Sequence, residues 1–313
     1  MWLKNQQQDP TLHTFQQLVD GVTWSPDGKS LAALTADGAL YVWNTLSYKN
    51  TYRDRARGNI PIGAIAWSPN GQYIATSDPD YGVRIWDVRT WTAITAISNN
   101  QTVVDTLSWS PDSKLVATGS LNKRVCLYKI IANSHAELVS TYEQYRDEVT
   151  TLAWSANGKY IASGSLDGTV HIWIPSTGVT QMVLTNQTSQ PITAVAWSPE
   201  SQRLAVTFGP HEDNQPPMNP YMVKVFNVPS GSTISTYTNH SNYIASLAWS
   251  SDGAYIASAS DDTTVHIWRP TQAQTVYIYR GHTARVRNVV WAPDNIRLAT
   301  TSEDQTLQIW KKP

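Results

Sequence analysis

A single cysteine, Cys126, occurs in 313 residues, so an intrachain disulfide and a metal site of clustered thiolates are both excluded. An excess of either charge is missing too. The 23 basic residues face 24 acidic ones, for a net charge of −1, and no long-range field gathers nucleic acid or an anionic membrane. No apolar run approaches the ~18 residues of a membrane-spanning helix. The start, Met1-Trp2-Leu3-Lys4, lacks the apolar core of a signal peptide. The expectation is a cytoplasmic protein with neither nucleic acid nor membrane among its partners. Charged residues are sparse at 15%, but apolar ones reach 41%, which suffices for a packed core. Signatures of chemistry are missing as well: there is no Gly-x-Ser-x-Gly elbow, phosphate-cradling glycine loop, His-Glu-x-x-His pair or EF-hand loop.

What the chain does have is a repeat. Trp-Ser-Pro-Asp-Gly or a close variant begins at Trp24, Trp67, Trp109, Trp154, Trp197, Trp249 and Trp291. Apart from the wider gap between Trp197 and Trp249, these separations match the period of about 40–45 residues for one four-stranded propeller blade. Six of the seven are followed at one constant offset by an aromatic, at Trp43, Trp86, Tyr128, Trp173, Trp268 and Trp310; in the fifth copy the aromatic, Phe226, comes later. An insertion separates them there. Within a repeat, runs such as Ile161 to Ser165 and Thr169 to Trp173 alternate with a period of two, which predicts strands. Pro-Asp-Gly predicts a turn, because proline presets φ and glycine accepts a positive one.

These residues resemble the WD40 family, with its Ser-Pro-Asp-Gly turn, its tetrad positions and its closing Trp-Asp. The dipeptide itself survives only as Trp86-Asp87. The likeness spans residues 10 to 310, and the recurrent Trp before Ser-Pro resembles bacterial members. It implies an all-β, seven-bladed β-propeller of four-stranded antiparallel blades, one domain over residues 1–313. The chain stops directly after the third strand of the last blade, so the N-terminal segment around Gln6 to His13 is expected to supply that blade's outer strand. Pro10 is tolerable in such a strand.

The resemblance also implies a hydrogen-bonded tetrad within a blade. Position by position, it is complete as His240, Ser258, Asp262 and Trp268 in blade six, and as His282, Thr300, Asp304 and Trp310 in blade seven. It is partial in blade four (Tyr145, Ser163, Asp167, Trp173) and blade two (Gly58, Thr76, Asp80, Trp86). Elsewhere it is lost: blade one has Phe15, Ala33, Asp37 and Trp43, blade three Asn100, Thr118, Asn122 and Tyr128, and blade five Thr188, Val206 and Phe226. Of the 14 tryptophans, seven begin turns and five close blades, so they read as core and not as a ligand cage. Trp2 and Trp91 fall outside the pattern. His171 and His266 read as structural, Cys126 as a small buried hydrophobe, and His211-Glu212-Asp213 as a solvated loop. No metal site and no cofactor are expected.

Relatives of this family bind with the face that carries the loops entering the first strand and joining the second to the third. Carried over, the contact positions are Val103, Asp105, Leu121, Glu148, Leu166, Tyr243, Asp261, Arg285, Arg287 and Glu303. The insertion from Gly209 to Tyr221 falls on the same face, and long proline-containing loops on a rigid scaffold are often functional. The expected function is a non-catalytic, monomeric scaffold for a protein or peptide, a sensor or assembly module. The alternative is a propeller hydrolase or lyase using the central channel, which histidines and carboxylates converging at the channel mouth would mark.

Overall fold

A computed structural model describes residues 11–54, 63–78, 82–97, 103–131, 135–185, 190–209 and 221–313. Among them, 28 strands form seven four-stranded sheets. In the first blade the order from centre to rim is Val19–Trp24, Ser30–Thr35, Leu40–Asn44 and Asn50–Arg53. All neighbours within a sheet run antiparallel, as the short turns between them require. The seventh blade takes three strands from the C-terminus, Val286–Trp291, Arg297–Ser302 and Thr306–Lys311, and its rim strand, Thr11–Thr14, from the other end of the chain. Thr11 faces Gln308 and Thr14 faces Thr306. The ring is closed by the N-terminal segment, whose described strand overlaps the expected Gln6 to His13 at residues 11–13. Residues 6–10, Trp2, Gly58, Asp80, Asn100, Thr188, the 211–213 cluster and the insertion between Gly209 and Tyr221 lie outside the described residues.

The core lies between blades. Each sheet packs both faces against its neighbours, so middle strands such as Ile161–Ser165 and Ile256–Ser260 are buried at every position. One cluster joins Val265 and Ile267 of blade six to Val289, Leu298 and Trp310 of blade seven; another joins Trp43 of blade one to Ala299 and Leu307 of blade seven. The turn-initiating tryptophans do more than fill space. Four of their indole N–H groups donate to inner-strand carbonyls of the preceding blade: Trp24 to Val290 at 3.4 Å, Trp109 to Ala66 at 3.2 Å, Trp197 to Ala153 at 3.1 Å and Trp249 to Ala196 at 2.9 Å, whereas those of Trp67, Trp154 and Trp291 are buried without a partner. A phenylalanine at these positions would pack but not donate.

The turn after the tryptophan is closed by its serine in six blades, and blade seven has Ala292 in that place. Ser25 donates to Asp27 at 2.7 Å, and Asp27 accepts the Lys29 N–H at 3.0 Å. The fourth position needs a positive φ, 67° at Gly28, and keeps it at Ser113 (61°) and Asn295 (58°) where glycine is absent. Interlocking turns and blade contacts therefore hold the left-handed conformation even for side chains that disfavour it.

Candidate functional site

Blades six and seven hold their loops to the face through complete polar chains. In blade six, Trp268 Nε1 donates to Ser258 Oγ at 3.3 Å, Ser258 lies 2.8 Å from His240 Nε2, and His240 Nδ1 lies 2.7 Å from Asp262 Oδ2. An indole only donates and a carboxylate only accepts, so the tryptophan N–H points into the serine hydroxyl and the histidine Nδ1–H into the aspartate. His282, Thr300, Asp304 and Trp310 repeat the chain with distances of 2.8, 2.8 and 3.2 Å. Burial pushes the Asp262 carboxyl up. The His240 hydrogen bond and charge, with Thr264 and the Ser241 N–H, outweigh this and hold it well below the usual carboxylate range. In blade four Tyr145 reaches Ser163 Oγ at 2.6 Å, while Asp167 accepts the Arg146 N–H at 2.9 Å. Trp86 of blade two donates to Thr76 at 3.0 Å. In blade three Thr118 Oγ1 and Asn122 Oδ1 are buried without a hydrogen bond.

A second set of clamps has a sequence signal that the repeat pattern did not bring out: a tyrosine at a fixed offset ahead of the closing tryptophan. Tyr142, Tyr237 and Tyr279 end rim strands and stack on Trp173, Trp268 and Trp310 of the next blade, with centroids 4.5, 4.4 and 4.1 Å apart and planes within 8°. Their hydroxyls lie 2.7 Å from His171 Nδ1, 2.7 Å from His266 Nδ1 and 2.5 Å from Gln308 Oε1. His171 and His266 are thus buried structural partners.

His240, Asp262 and His266 bring potential metal-ligand atoms within 4.8 Å of one another. Those atoms are already engaged: His240 with Asp262 and Ser258, and His266 Nδ1 with Tyr237. Burial, with the neighbouring His240 adding to it, pushes His266 from 6.5 down to about 3. Below pH 6.5 the unfolded chain takes up a proton that the folded chain refuses, so this residue's contribution to stability is lost as pH falls from about 6.5 toward 3, by up to ~1.4 kcal/mol per pH unit. His266→Gln, which copies the Gln308 of blade seven, is expected to flatten the fall of the thermal midpoint between pH 7.5 and 5. Parallel curves for the two proteins would exclude this assignment.

The face ending at these tetrads collects the predicted contact positions in pairs. The residue before the tetrad aspartate, or at its equivalent position, donates its N–H to the carbonyl of the residue entering the inner strand of the same blade. Leu121 reaches Val103 (3.4 Å), Leu166 reaches Glu148 (3.0 Å), Asp261 reaches Tyr243 (2.9 Å) and Glu303 reaches Arg285 (2.9 Å). Blade one adds a pair that the carried-over set did not include, Ala36 on Leu18 at 2.9 Å. Asp105 and Arg287 sit two residues further along their inner strands. The result is a two-part face. Blades one, three and four present Leu18 and Leu121, both 40% exposed, with Val103 and Leu166 half-buried. Blades six and seven present a charge network: Arg285 lies 3.6 Å from Asp261 and 3.9 Å from Glu303, and Arg287 lies 3.7 Å from Asp261 and pairs closely with Glu303. Two guanidinium groups meet two carboxylates, so the arginine pair is internally neutralised. Beside it, burial pushes the Tyr243 hydroxyl up to about 12.

The inner strands surround a channel of about 310 Å³ to which all seven blades contribute. Its walls are tied across blades by side chains three residues before the turn tryptophan. Thr106 accepts the Leu152 N–H, Thr151 the Val195 N–H and Ser246 the Val289 N–H, at 3.2–3.3 Å, while Asn288 donates to the Asp20 carbonyl at 2.8 Å. Two carboxylates, Asp20 and Asp105, belong to the lining, which includes no histidine among the described residues. Burial pushes both up to about 6; the Arg287 charge offsets part of this for Asp20, and the Glu148 charge adds to it for Asp105.

A closed ring of seven antiparallel blades, with polar tetrads and a loop-bearing face around a channel, defines a propeller of the repeat type. The family model for the WD domain, G-beta repeat, matches residues 8–44, 52–87, 91–129, 136–173, 231–269 and 273–311. The chain belongs to the WD40 repeat family. Blade five, which carries the insertion, is the one without a match of its own. Among curated proteins the chain is similar to the anaphase-promoting complex subunit cdc20 of Dictyostelium discoideum, 23% identical across 86% of this chain and 53% of that protein. It is also similar to the Arabidopsis thaliana protein FIZZY-RELATED 1, 24% identical across 80% of this chain and 50% of that protein. A shorter stretch, 33% of this chain and 29% of the relative, is 25% identical to the target of rapamycin complex subunit wat1 of Schizosaccharomyces pombe. The chain spans about half the length of the first two relatives. All three are eukaryotic, and they give the likeness to bacterial members no support. Among the described residues no helix is long and apolar enough to cross a membrane.

Proposed function

We propose that the protein is a non-catalytic scaffold, a single monomeric propeller domain that holds a protein or peptide on the face formed by the paired residues. The observation that carries this reading is the apolar set of Leu18, Val103, Leu121 and Leu166 on blades one, three and four, held in place by backbone pairing. Exposed apolar side chains on a rigid rim suit a hot-spot role. Two of the relatives are named as subunits of complexes, in keeping with an assembly role. The channel reading of a hydrolase or lyase is less favoured, since among the described residues its lining offers carboxylates without a histidine beside them.

The test compares partners captured by the wild type, by a Leu121→Glu, Leu166→Glu variant, and by Lys159→Glu on the exposed turn at the opposite end of the blades. The first variant is expected to lose a specific partner at least about tenfold, and the second to keep it. Identical partner sets for all three would exclude this face.

A further inference from the structure

At the end of the blades that carries the turns after the tryptophans, opposite the paired residues, blades seven and one meet on a single atom. The Gly28 carbonyl accepts from Thr45 Oγ1 at 2.8 Å and from Arg297 Nη2 at 3.1 Å. The Lys312 N–H donates to the Ile296 carbonyl at 2.9 Å. These ties gather three segments: the turn between the third and fourth strands of blade one, the first turn of blade seven, and the end of the strand Thr306–Lys311. Each carries side chains that the fold leaves uncovered. Leu46 and Tyr48 are the two most exposed large apolar side chains among the described residues, at 76% and 55%, and Ile296 is 53% exposed. Tyr48 stands at φ 55°, where the equivalent positions of blades four and five are Gly178 and Gly231. A side chain this large is disfavoured in that conformation, and Tyr48 belongs to neither of the core clusters that blade one builds with its neighbours.

The charge around these side chains has one sign in excess. Asp27 lies 3.7 Å from Lys29 and Asp294 lies 2.6 Å from Arg297, so both carboxylates are taken. Lys49, Lys311 and Arg269 are exposed and have no carboxylate partner among the described residues. Arg269 and Lys312 share one ring: they lie 5.5 and 3.7 Å from the Tyr255 centroid, with Asp252 as the neighbouring carboxylate. On the face ending at the tetrads the arginines are matched by carboxylates, whereas here the cations outnumber them.

We propose that this corner is a second docking surface, which takes an acidic, leucine-bearing segment of a partner protein. The carboxylates of the segment meet Lys49, Lys311 and Arg269, and its apolar side chains rest on Leu46, Tyr48 and Ile296. The inference goes beyond the scaffold reading, because it adds a surface at the other end of the ring. Charge complementarity selects the occupant. Uncompensated cations attract an acidic segment and repel a basic one. The exposed apolar side chains beside them add area that a chain of phosphates would leave uncovered. Lys49 directly follows Tyr48, so charge and apolar contact come from one turn and ask for both in the same segment.

The experiment uses the full chain and immobilised peptide pools in which leucine alternates with aspartate, serine or lysine between randomised flanks. The aspartate pool is expected to retain the wild type about tenfold more than the serine pool at low salt, and the difference to shrink as salt rises. Lys49→Glu combined with Lys311→Glu is expected to abolish that preference; both side chains are exposed, and an unchanged thermal midpoint checks the fold. Leu46→Ser combined with Ile296→Ser is expected to weaken retention on the aspartate pool about tenfold. Lys159→Glu, on the same end but in blade four, is expected to leave it unchanged. Aspartate and serine pools that retain the wild type alike would overturn the proposal, as would a preference that survives the lysine double variant. Stronger retention on phosphatidylserine vesicles, or on an aspartate–serine pool without leucine, would reduce the corner to general anion attraction and overturn it too. Leu121→Glu with Leu166→Glu separates the two surfaces: retention kept in that variant supports the second one, and retention lost there would assign the binding to the first.

Discussion

Asp262→Ala is expected to lower the stability of the propeller by about 3–5 kcal/mol, whereas Asp37→Ala lowers it by about 1 kcal/mol. The two aspartates occupy equivalent positions in blades six and one. Asp262 accepts from His240 Nδ1 and the Ser241 N–H through one oxygen, and from the Thr264 N–H and hydroxyl through the other. Its removal leaves the His240 ring, whose side chain is fully buried, with a donor and no acceptor. The loss then runs inward through Ser258 to Trp268. Asp37 accepts from Thr35 Oγ1 at 2.6 Å and from the Ala39 N–H at 3.4 Å. In that blade the histidine position is filled by Phe15, which packs edge-on to Trp43 at 5.9 Å. No buried imidazole depends on Asp37. Thermal unfolding should separate the variants by roughly 5–10 °C, and equal shifts would show that the tetrad contributes nothing beyond a local turn.

Trp268→Ala should be as damaging, at about 3–5 kcal/mol. Trp268 is fully buried between blades five and six, packed with Val225, Leu247 and Ile256. It also supplies the indole donor of the tetrad and the surface on which Tyr237 stacks at 4.4 Å. Tyr237→Phe dissects that contact: the ring stack stays, while the hydroxyl bonds to His266 and Thr275 are lost, for a cost of about 1–2 kcal/mol. Trp91→Ala is the comparator. Trp91 lies outside the repeat pattern and stacks on Tyr52 at 4.4 Å, but it is only half-buried, so about 1 kcal/mol is expected. A loss from Trp268→Ala no larger than from Trp91→Ala in chemical denaturation would sink the account of an inter-blade clamp.

The repeat made the architecture legible because every blade solves the same local problem. A tryptophan, a serine-closed turn and an alternating run ending in an aromatic recur wherever a four-stranded sheet must bury both faces. Blade count, ring closure and the residues of the two full tetrads therefore follow from spacing and from the family resemblance. The contact positions carried over from that resemblance lie in backbone pairs on one face, such as Leu166 with Glu148 and Glu303 with Arg285. Each pair joins two segments of a single repeat, where register is locally specified.

What spacing did not convey lies between repeats. Tyr237 ends the rim strand of one blade and Trp268 closes the next, Asp261 and Arg285 sit on neighbouring blades, and Asp20 and Asp105 belong to blades separated by a third. Each relation depends on how one twisted sheet is set against the next, which is decided by packing and not by the period. Arg285, Arg287, Asp261 and Glu303 could be assigned to two blades from the sequence, but their fusion into one neutral network required the two blades to be adjacent in space. By itself the sequence determined the seven-bladed ring and the polar chains within its blades, because those rest on contacts inside a repeat. Tertiary structure alone decided which charges on the loop-bearing face are already paired and which carboxylates are left facing the channel, because those depend on ring closure bringing different blades together.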